Sequence, residues 1–293
     1  MPELPEIETI RRHLAPWVEG RELARVEVLD PRLTMPEPPG VLDALLAGRR
    51  VTRLGRRGKY LLWALEGERH LVLHLRMTGT LLLLGEADDQ SGRPHLRARL
   101  VLGDGSRVLF CDPHRFGTAV ALSSDEALEA HLRPRAGVEP LSAHFTAERL
   151  RALADGRRAP VKAFLLNQER IAGVGNIYAD EALFRAGIHP LRAVGTLRRA
   201  QLAALRDAVV ASLEAGIDAR GATIDDFRHP DGARGSFQDR FLVHRREGQG
   251  CPRCGGPIRK MRAAGRGTYV CERCQPRPRA RRRAAAPARA MPA

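Results

Sequence analysis

Four cysteines in two tight pairs constrain this chain more than any other feature. Cys251-Pro-Arg-Cys254 and Cys271-Glu-Arg-Cys274 are separated by sixteen residues. Each pair forms a knuckle, and four thiolates complete a tetrahedral shell. A complete shell leaves no position for substrate, so the expected metal is a single structural zinc. Between the pairs, Ile258 to Val270 is predicted to form a β-hairpin whose turn carries Arg262, Gly265, Arg266 and Gly267. An arginine on a glycine-flanked tip suits a groove or a phosphate. A zinc ribbon that binds protein is the alternative.

The charge balance narrows the partner. The 293 residues carry a formal charge of +15 and a pI near 10.9, which favours a polyanion, nucleic acid first and an acidic membrane surface second. No apolar run reaches the length of a membrane span, and the acidic start, with Glu3, Glu6 and Glu8, lacks a signal-peptide core. The expected setting is soluble and intracellular, where thiols favour metal over disulfide. Of 49 basic side chains only Lys59, Lys162 and Lys260 are lysine. A lysine kept in an arginine-rich chain points to a need for a compact, deprotonatable amine, with chance survival as the competing account, preferred for Lys260.

The length suggests about two domains. Ile7, Ile10, Leu14 and Val18 recur at helical spacing and predict a helix over 5–18, with Pro16 placed to kink its last turn. From 22 to 122 the pattern becomes short strands at 24–29, 60–65, 71–75, 81–84, 100–102, 108–111 and 118–122. Such spacing predicts an antiparallel sandwich or barrel. Pro31 to Gly40 reads as a loop. Helices are predicted over 124–133, 146–154, 161–170, 177–187 and 196–216, followed by a long loop from Arg220 to Gln238. From Pro276 the chain holds only Arg, Ala and Pro apart from Met291, and disorder is expected there.

Several stretches carry chemistry. If Met1 is removed, Pro2 becomes a secondary amine, with Glu3 and Glu6 close behind it. Terminal amines have an ordinary pKa of about 7.7–8.0, so a useful fraction is nucleophilic near neutrality. Attack on an aldehyde-like carbon gives an iminium with no N–H to lose, which eases elimination next to that carbon. A flexible terminus ahead of a helix is the plain alternative. Gly173-Val-Gly-Asn176 sits between two predicted helices. Its amides are free to approach an anion at a helix start, with Asn176 as the expected N-cap. Met77, after His74-Leu-Arg, and Phe116, within Asp112-Pro-His114-Arg115-Phe116-Gly, stand at strand ends. Both are ordinary core types, but on turns they also suit the gap left by an extruded base.

Taken together, these stretches resemble the bacterial formamidopyrimidine-DNA glycosylases of the Fpg/Nei (MutM-like) family, from Pro2 to Gln275. The Pro-Glu-Leu-Pro-Glu start, the Gly-Lys-Tyr lysine, the helix–two-turn–helix stretch and the cysteine finger match in order. The resemblance implies an α+β fold. Its expected parts are an N-terminal antiparallel β-sandwich with a helix over 1–135, a helix-two-turn-helix module with a substrate loop over 136–238, a four-cysteine zinc-finger hairpin over 239–275 and a basic tail over 276–293. It implies a monomer acting on damaged double-stranded DNA, cytoplasmic and nucleoid-associated when bound. The activity implied is base-excision repair by a combined glycosylase and AP lyase for oxidised purines. Pro2 would attack C1′, Glu3 would assist ring opening, and Glu6 would support it. Lys59 would contact phosphate and move a proton in β-elimination, and Arg266 would serve δ-elimination. His95, His114, Arg115, Arg157, Lys162 and Asn176 would meet DNA, and Met77 and Phe116 would enter the duplex.

The chain departs from the family at three places. His114 stands where the family commonly has the arginine that reads the unpaired base, and a histidine offers fewer donors. His244-Arg245 replaces the usual tyrosine-glycine before the finger, and the basic tail is extra. Two other readings stay open, namely a Nei-type enzyme for oxidised pyrimidines and a non-catalytic relative. Leu4, where the Nei branch usually has glycine, favours the purine branch, and the presence of Pro2 and Glu3 favours an enzyme.

Overall fold

The structure is a computed structural model, describing residues 2–88, 92–224 and 228–278. Helix α1 (Leu4–Val18) opens the chain. The Glu3 N–H, which the helix leaves without an internal partner, donates to Glu6 Oε2 at 2.8 Å. Ile7, Ile10, Leu14 and Val18 are buried as predicted, and Pro16 leaves the helix intact to Val18. The first turn faces elsewhere. Leu4 packs among the core residues of the second lobe, with Val174 and Tyr178, while Ile7 onward packs into the first. One helix thus joins two cores.

The first lobe is antiparallel throughout. Its strands are β1 (Glu22–Val28), β2 (Arg49–Arg57), β3 (Tyr60–Leu65), β4 (Arg69–His74), β5 (Thr80–Leu84), β6 (Leu96–Leu102), β7 (Arg107–Cys111) and β8 (Thr118–Leu122), with the short α2 (Gly40–Leu46) between β1 and β2. The order is β5-β7-β6-β1-β2-β3-β4-β8. The halves β5-β7-β6-β1 and β2-β3-β4-β8 meet through only Glu22↔Arg50 and Leu23↔Arg49. Both enclose one core with α1, including Leu54, Leu61, Trp63, Leu100 and Phe110. Period-two alternation is plain in β3, where Leu61, Trp63 and Leu65 turn inward. It is hidden in β2, where five of nine residues are arginine and only Val51 and Leu54 mark the inner face.

Helix α3 (Asp125–Leu132) packs on β4 and β8 of the first lobe, and the second lobe holds α4 (Ala147–Ala154), α5 (Val161–Leu166), α6 (Asn176–Arg185) and α7 (Arg199–Asp218). Helix α5 ends four residues before its predicted end at 170. The chain there turns into a loop stapled by Gln168. Its Oε1 accepts from Gly173 N–H at 2.9 Å, and its Nε2 donates to Leu166 and Val174 carbonyls at 2.9 and 2.8 Å. Asn176 is not the N-cap of α6; Gly175 occupies that position and Asn176 is the first helical residue. The finger carries β9 (Arg259–Ala263) and β10 (Arg266–Val270), paired as a hairpin. The tail beyond 278, where disorder was expected, lies outside the described residues, as do 225–227 of the predicted loop.

The lobes are clasped through Glu139. Its carboxylate accepts from Arg56 at 2.6 Å and from Gly58 N–H at 2.8 Å, which fixes the β2–β3 turn bearing Lys59. Residues 137 and 138 pair with the 168–172 loop through Gly137 N–H to Gln168 O at 2.8 Å and Ala172 N–H to Val138 O at 3.0 Å.

Candidate active site and DNA-facing surface

The anion-binding helix start is filled from within. Glu3, 2 % exposed, places Oε1 3.0 Å from Ile177 N–H and Oε2 3.4 Å from Tyr178 N–H. These amides open α6, where partial positive charge collects. Close approach depends on glycine. A β-carbon on Gly175 would fall 2.2 Å from Glu3 Cδ, and one on Gly173, at φ +87°, would meet Leu4 Cβ at 2.7 Å. Leu4 N–H completes the clamp by donating to Gly173 O at 3.1 Å. Pro2, buried, is thus held in place by the residue behind it.

Glu6 lies deeper. Its Oε1 accepts from Tyr178 O–H and from Ala222 N–H, both at 2.8 Å. Burial, aided by the nearby Glu3 charge, raises its pKa above the ordinary carboxylate range. Burial likewise pushes the Tyr178 hydroxyl well up, which keeps it a donor. Tyr178 had no role assigned from sequence. The available signal was a tyrosine in the first turn of a helix, three residues after Gly175.

Lys59, 5 % exposed, stands at the β2–β3 turn. Burial lowers its pKa and the nearby Arg266 charge adds to this, while Glu3 and Glu6 oppose it. The same electrostatic neighbourhood therefore holds both carboxylates, the lysine and the hairpin arginine. Beside Lys59 opens a cavity of about 420 Å³, lined by His74, Arg76, Arg135 and Gln168 among others. His74 Nδ1 accepts Arg76 N–H at 3.0 Å. Burial, then the charges of Arg76 and Lys59, depress its pKa to about 3, so the ring is neutral near pH 7.

Met77 and Phe116 are 49 % and 56 % exposed, on turns of one surface. Asp112, buried, ties these turns together. Its Oδ1 accepts from the Thr78 hydroxyl and from His114 N–H, and its Oδ2 from Gly117 N–H at 2.8 Å. Its own N–H donates to His95 O at 2.9 Å, which brings the exposed His95 to the same cluster. His114 is exposed, with its ring 5.8 Å from that of Phe116. Arg115, expected to meet DNA, is paired within the protein. Its Nε and Nη2 grip Asp30 at 2.5 and 2.8 Å, an anchor for the loop. Arg157, exposed, donates Nε to Leu153 O at 2.7 Å.

Lys162 sits deeper still. It was expected to meet DNA, yet it is fully buried, with Nζ 2.6 Å from Asp180 Oδ1. A side chain so enclosed is spent inside the protein. Asn176 also turns to the hairpin, donating Nδ2 to Gly267 O at 3.0 Å. Glu181, beside Asp180, accepts from Leu242, Val243 and His244 amides at 2.9, 3.0 and 3.0 Å, so α6 holds the finger's root. Two acids on a buried helix face were the signal sequence reading passed over. Arg266 is exposed at the start of β10.

The four finger cysteines converge. Their sulfurs lie within 4.8 Å of one another, with Cys251–Cys274 at 3.8 Å and Cys254–Cys271 at 3.5 Å. Tetrahedral zinc with Zn–S bonds of about 2.3 Å requires sulfurs about 3.8 Å apart, so this donor set fits one zinc. Cys111, buried in β7, is outside it.

Comparison with known proteins gives consistent matches. Residues 1–119 match the formamidopyrimidine-DNA glycosylase N-terminal domain, 136–228 the formamidopyrimidine-DNA glycosylase H2TH domain, and 248–277 the zinc finger found in FPG and IleRS. The formamidopyrimidine-DNA glycosylase of Heliobacterium modesticaldum is 41% identical over 276 residues, 94% of this chain and 100% of the relative. That of a Roseiflexus species is 45% identical with the same coverage. Among solved structures, MutM (FPG) from Thermus thermophilus is 42% identical with a TM-score of 0.83, covering 94% of this chain and 98% of that one. A Lactococcus lactis FPG mutant in complex with Fapy-dG containing DNA is 32% identical with a TM-score of 0.87, covering 94% and 100%. The wild-type Lactococcus lactis protein in complex with an oxidized pyrimidine containing DNA is 32% identical with a TM-score of 0.86 and the same coverage.

Proposed function

The chain belongs to the formamidopyrimidine-DNA glycosylase family, and we propose that it excises oxidised purines through Pro2 and then cleaves the strand by two eliminations. It is a DNA glycosylase of base-excision repair with one structural zinc, and AP lyase activity is expected for the family. Among the described residues no helix is long and apolar enough to cross a membrane. Damaged duplex DNA is the partner in this reading, which the Lactococcus lactis relatives support through their complexes with Fapy-dG containing and oxidized pyrimidine containing DNA. The reading takes the protein as a monomer in the bacterial cytoplasm, on the nucleoid when bound.

The observation that carries the mechanism is the Glu3 clamp on α6, with Pro2 buried behind it and Lys59 and Arg266 in the same field. With Met1 removed, the Pro2 nitrogen attacks C1′ of the damaged nucleotide. The glycosidic bond breaks, and the base leaves with its electron pair and takes up the proton that the Pro2 nitrogen loses. Glu3 passes a proton to O4′ as the sugar ring opens, leaving an iminium between Pro2 and C1′. Glu6, whose raised pKa reflects burial beside Glu3, supports the Glu3 N–H and joins it to Tyr178 and Ala222. The iminium acidifies C2′. Lys59, with its lowered pKa, is suited to take that proton as the C3′–O bond breaks. Loss of the C4′ proton then breaks the C5′–O bond, with Arg266 on the departing phosphate. Water hydrolyses the iminium and frees Pro2.

On the DNA side, Met77 and Phe116 fill the gap of the extruded nucleotide and His114 faces the unpaired base. His95, Arg157 and Asn176 meet the backbone, and Arg115 acts through Asp30. The test is a cleavage panel. Duplexes carrying 8-oxoguanine, a formamidopyrimidine or an oxidised pyrimidine are compared under single turnover. Fastest excision of the two purine lesions is expected; fastest excision of the pyrimidine would contradict the assignment.

A further inference from the structure

The Lys162–Asp180 pair has no part in the chemistry above, yet both side chains are fully buried at the root of the hairpin. Besides Asp180, Lys162 Nζ donates to Thr268 Oγ1 at 2.7 Å and Gly267 O at 3.3 Å. Asp180 Oδ2 accepts Tyr269 N–H at 3.4 Å and lies 2.9 Å from His244 Nδ1. Thr268 Oγ1 donates to Arg266 O at 3.1 Å. The three residues following Arg266 are thus held by α5 and α6. Arg266 itself is exposed and makes no ion pair among the described residues. A long side chain of this kind depends on its backbone for its aim.

Burying two charges is costly, and apolar residues of like volume would often serve the fold as well. What an apolar pair lacks is the set of bonds to the hairpin. We propose that Lys162 and Asp180 are positioning residues for Arg266, setting the hairpin so that the guanidinium meets the phosphate leaving C5′ in the second elimination. This rests on the reading of Arg266 given above. In that step the C4′ proton passes to water, the C5′–O5′ bond breaks, and the electron pair leaves with the phosphate. Arg266 stabilises the developing charge.

The test uses full-length, zinc-loaded protein and a duplex with one abasic site, so that base recognition does not enter. Single variants risk unfolding by leaving one buried charge alone, so the main variant is Lys162→Met with Asp180→Leu. Asp180→Asn, which keeps the shape but weakens the hold, is measured beside it. The expected result is one zinc per chain, borohydride trapping close to that of the unmodified protein, and a second elimination slowed at least about tenfold relative to the first. Asp180→Asn should fall between. An unchanged ratio of the two products, or loss of zinc from the double variant, would overturn the proposal. Arg266→Ala separates the two readings. If it keeps the second elimination, the role of Arg266 fails and the proposal with it. If it loses that step while the double variant keeps it, only the positioning role fails.

Discussion

The carboxyl carbon of Glu3 lies 2.2 Å from where a β-carbon on Gly175 would stand. The start of α6 is therefore shaped around the chain's own N-terminal segment. Gly175→Ala should push Glu3 out of its bonds to Ile177 and Tyr178 and move Pro2 with it. A displacement of this order can cost about 10²-fold in rate, while overpacking costs about 1–3 kcal/mol of stability. Trapping of abasic DNA should fall by that factor, with a folded protein in thermal melts. Trapping at the unmodified rate would show that the clamp does not set the reacting geometry.

His74 should govern part of the acid limb of stability. Its pKa is about 3 when folded, through burial and then the charges of Arg76 and Lys59, against 6.5 ordinarily. Between those values the unfolded chain binds a proton that the folded chain refuses. Stability therefore falls as pH drops through this window, by up to about 1.4 kcal/mol per unit, and His74 has no such effect above it. His74→Asn keeps an acceptor for Arg76 N–H without titrating. Urea denaturation at pH 7.5 and pH 5 should show a shallower pH dependence in the variant, and equal slopes would exclude His74 as a source.

Residue 114 should set opposite-base preference. His114 is exposed beside Phe116, and its backbone is fixed by Asp112. A neutral imidazole has one donor, whereas an arginine presents two at fixed geometry, worth about 1–3 kcal/mol of discrimination. His114→Arg should raise excision opposite cytosine relative to the other three bases. Identical ratios in the two proteins would mean that position 114 does not read the unpaired base.

What could be read from sequence followed from how local each signal is. Helix α1, the strands with clear alternation and the four-cysteine finger are written in nearby residues, and each lies close to its predicted place. Strand β2 escaped because five of its nine residues are arginine and only Val51 and Leu54 are buried, and α2 because it is seven residues long behind Pro38 and Pro39. The site divided in the same way. Pro2, Glu3 and Lys59 stand out by type and context. The roles of Lys162, Asp180 and Glu139 depend on partners 18 to 106 residues away in the chain, beyond any local pattern. Asn176 yielded the cap to Gly175 because Glu3, arriving from the far end of the chain, supplies the capping carboxylate.

The central claim is that Pro2 forms the covalent bond to DNA. Protein processed to begin at Pro2 is incubated with an 8-oxoguanine duplex and borohydride, and the reduced adduct is digested and mapped by mass spectrometry. The account predicts one adduct, on the N-terminal peptide at Pro2. An adduct on Lys59, or no adduct from protein that still cleaves the duplex, would contradict it.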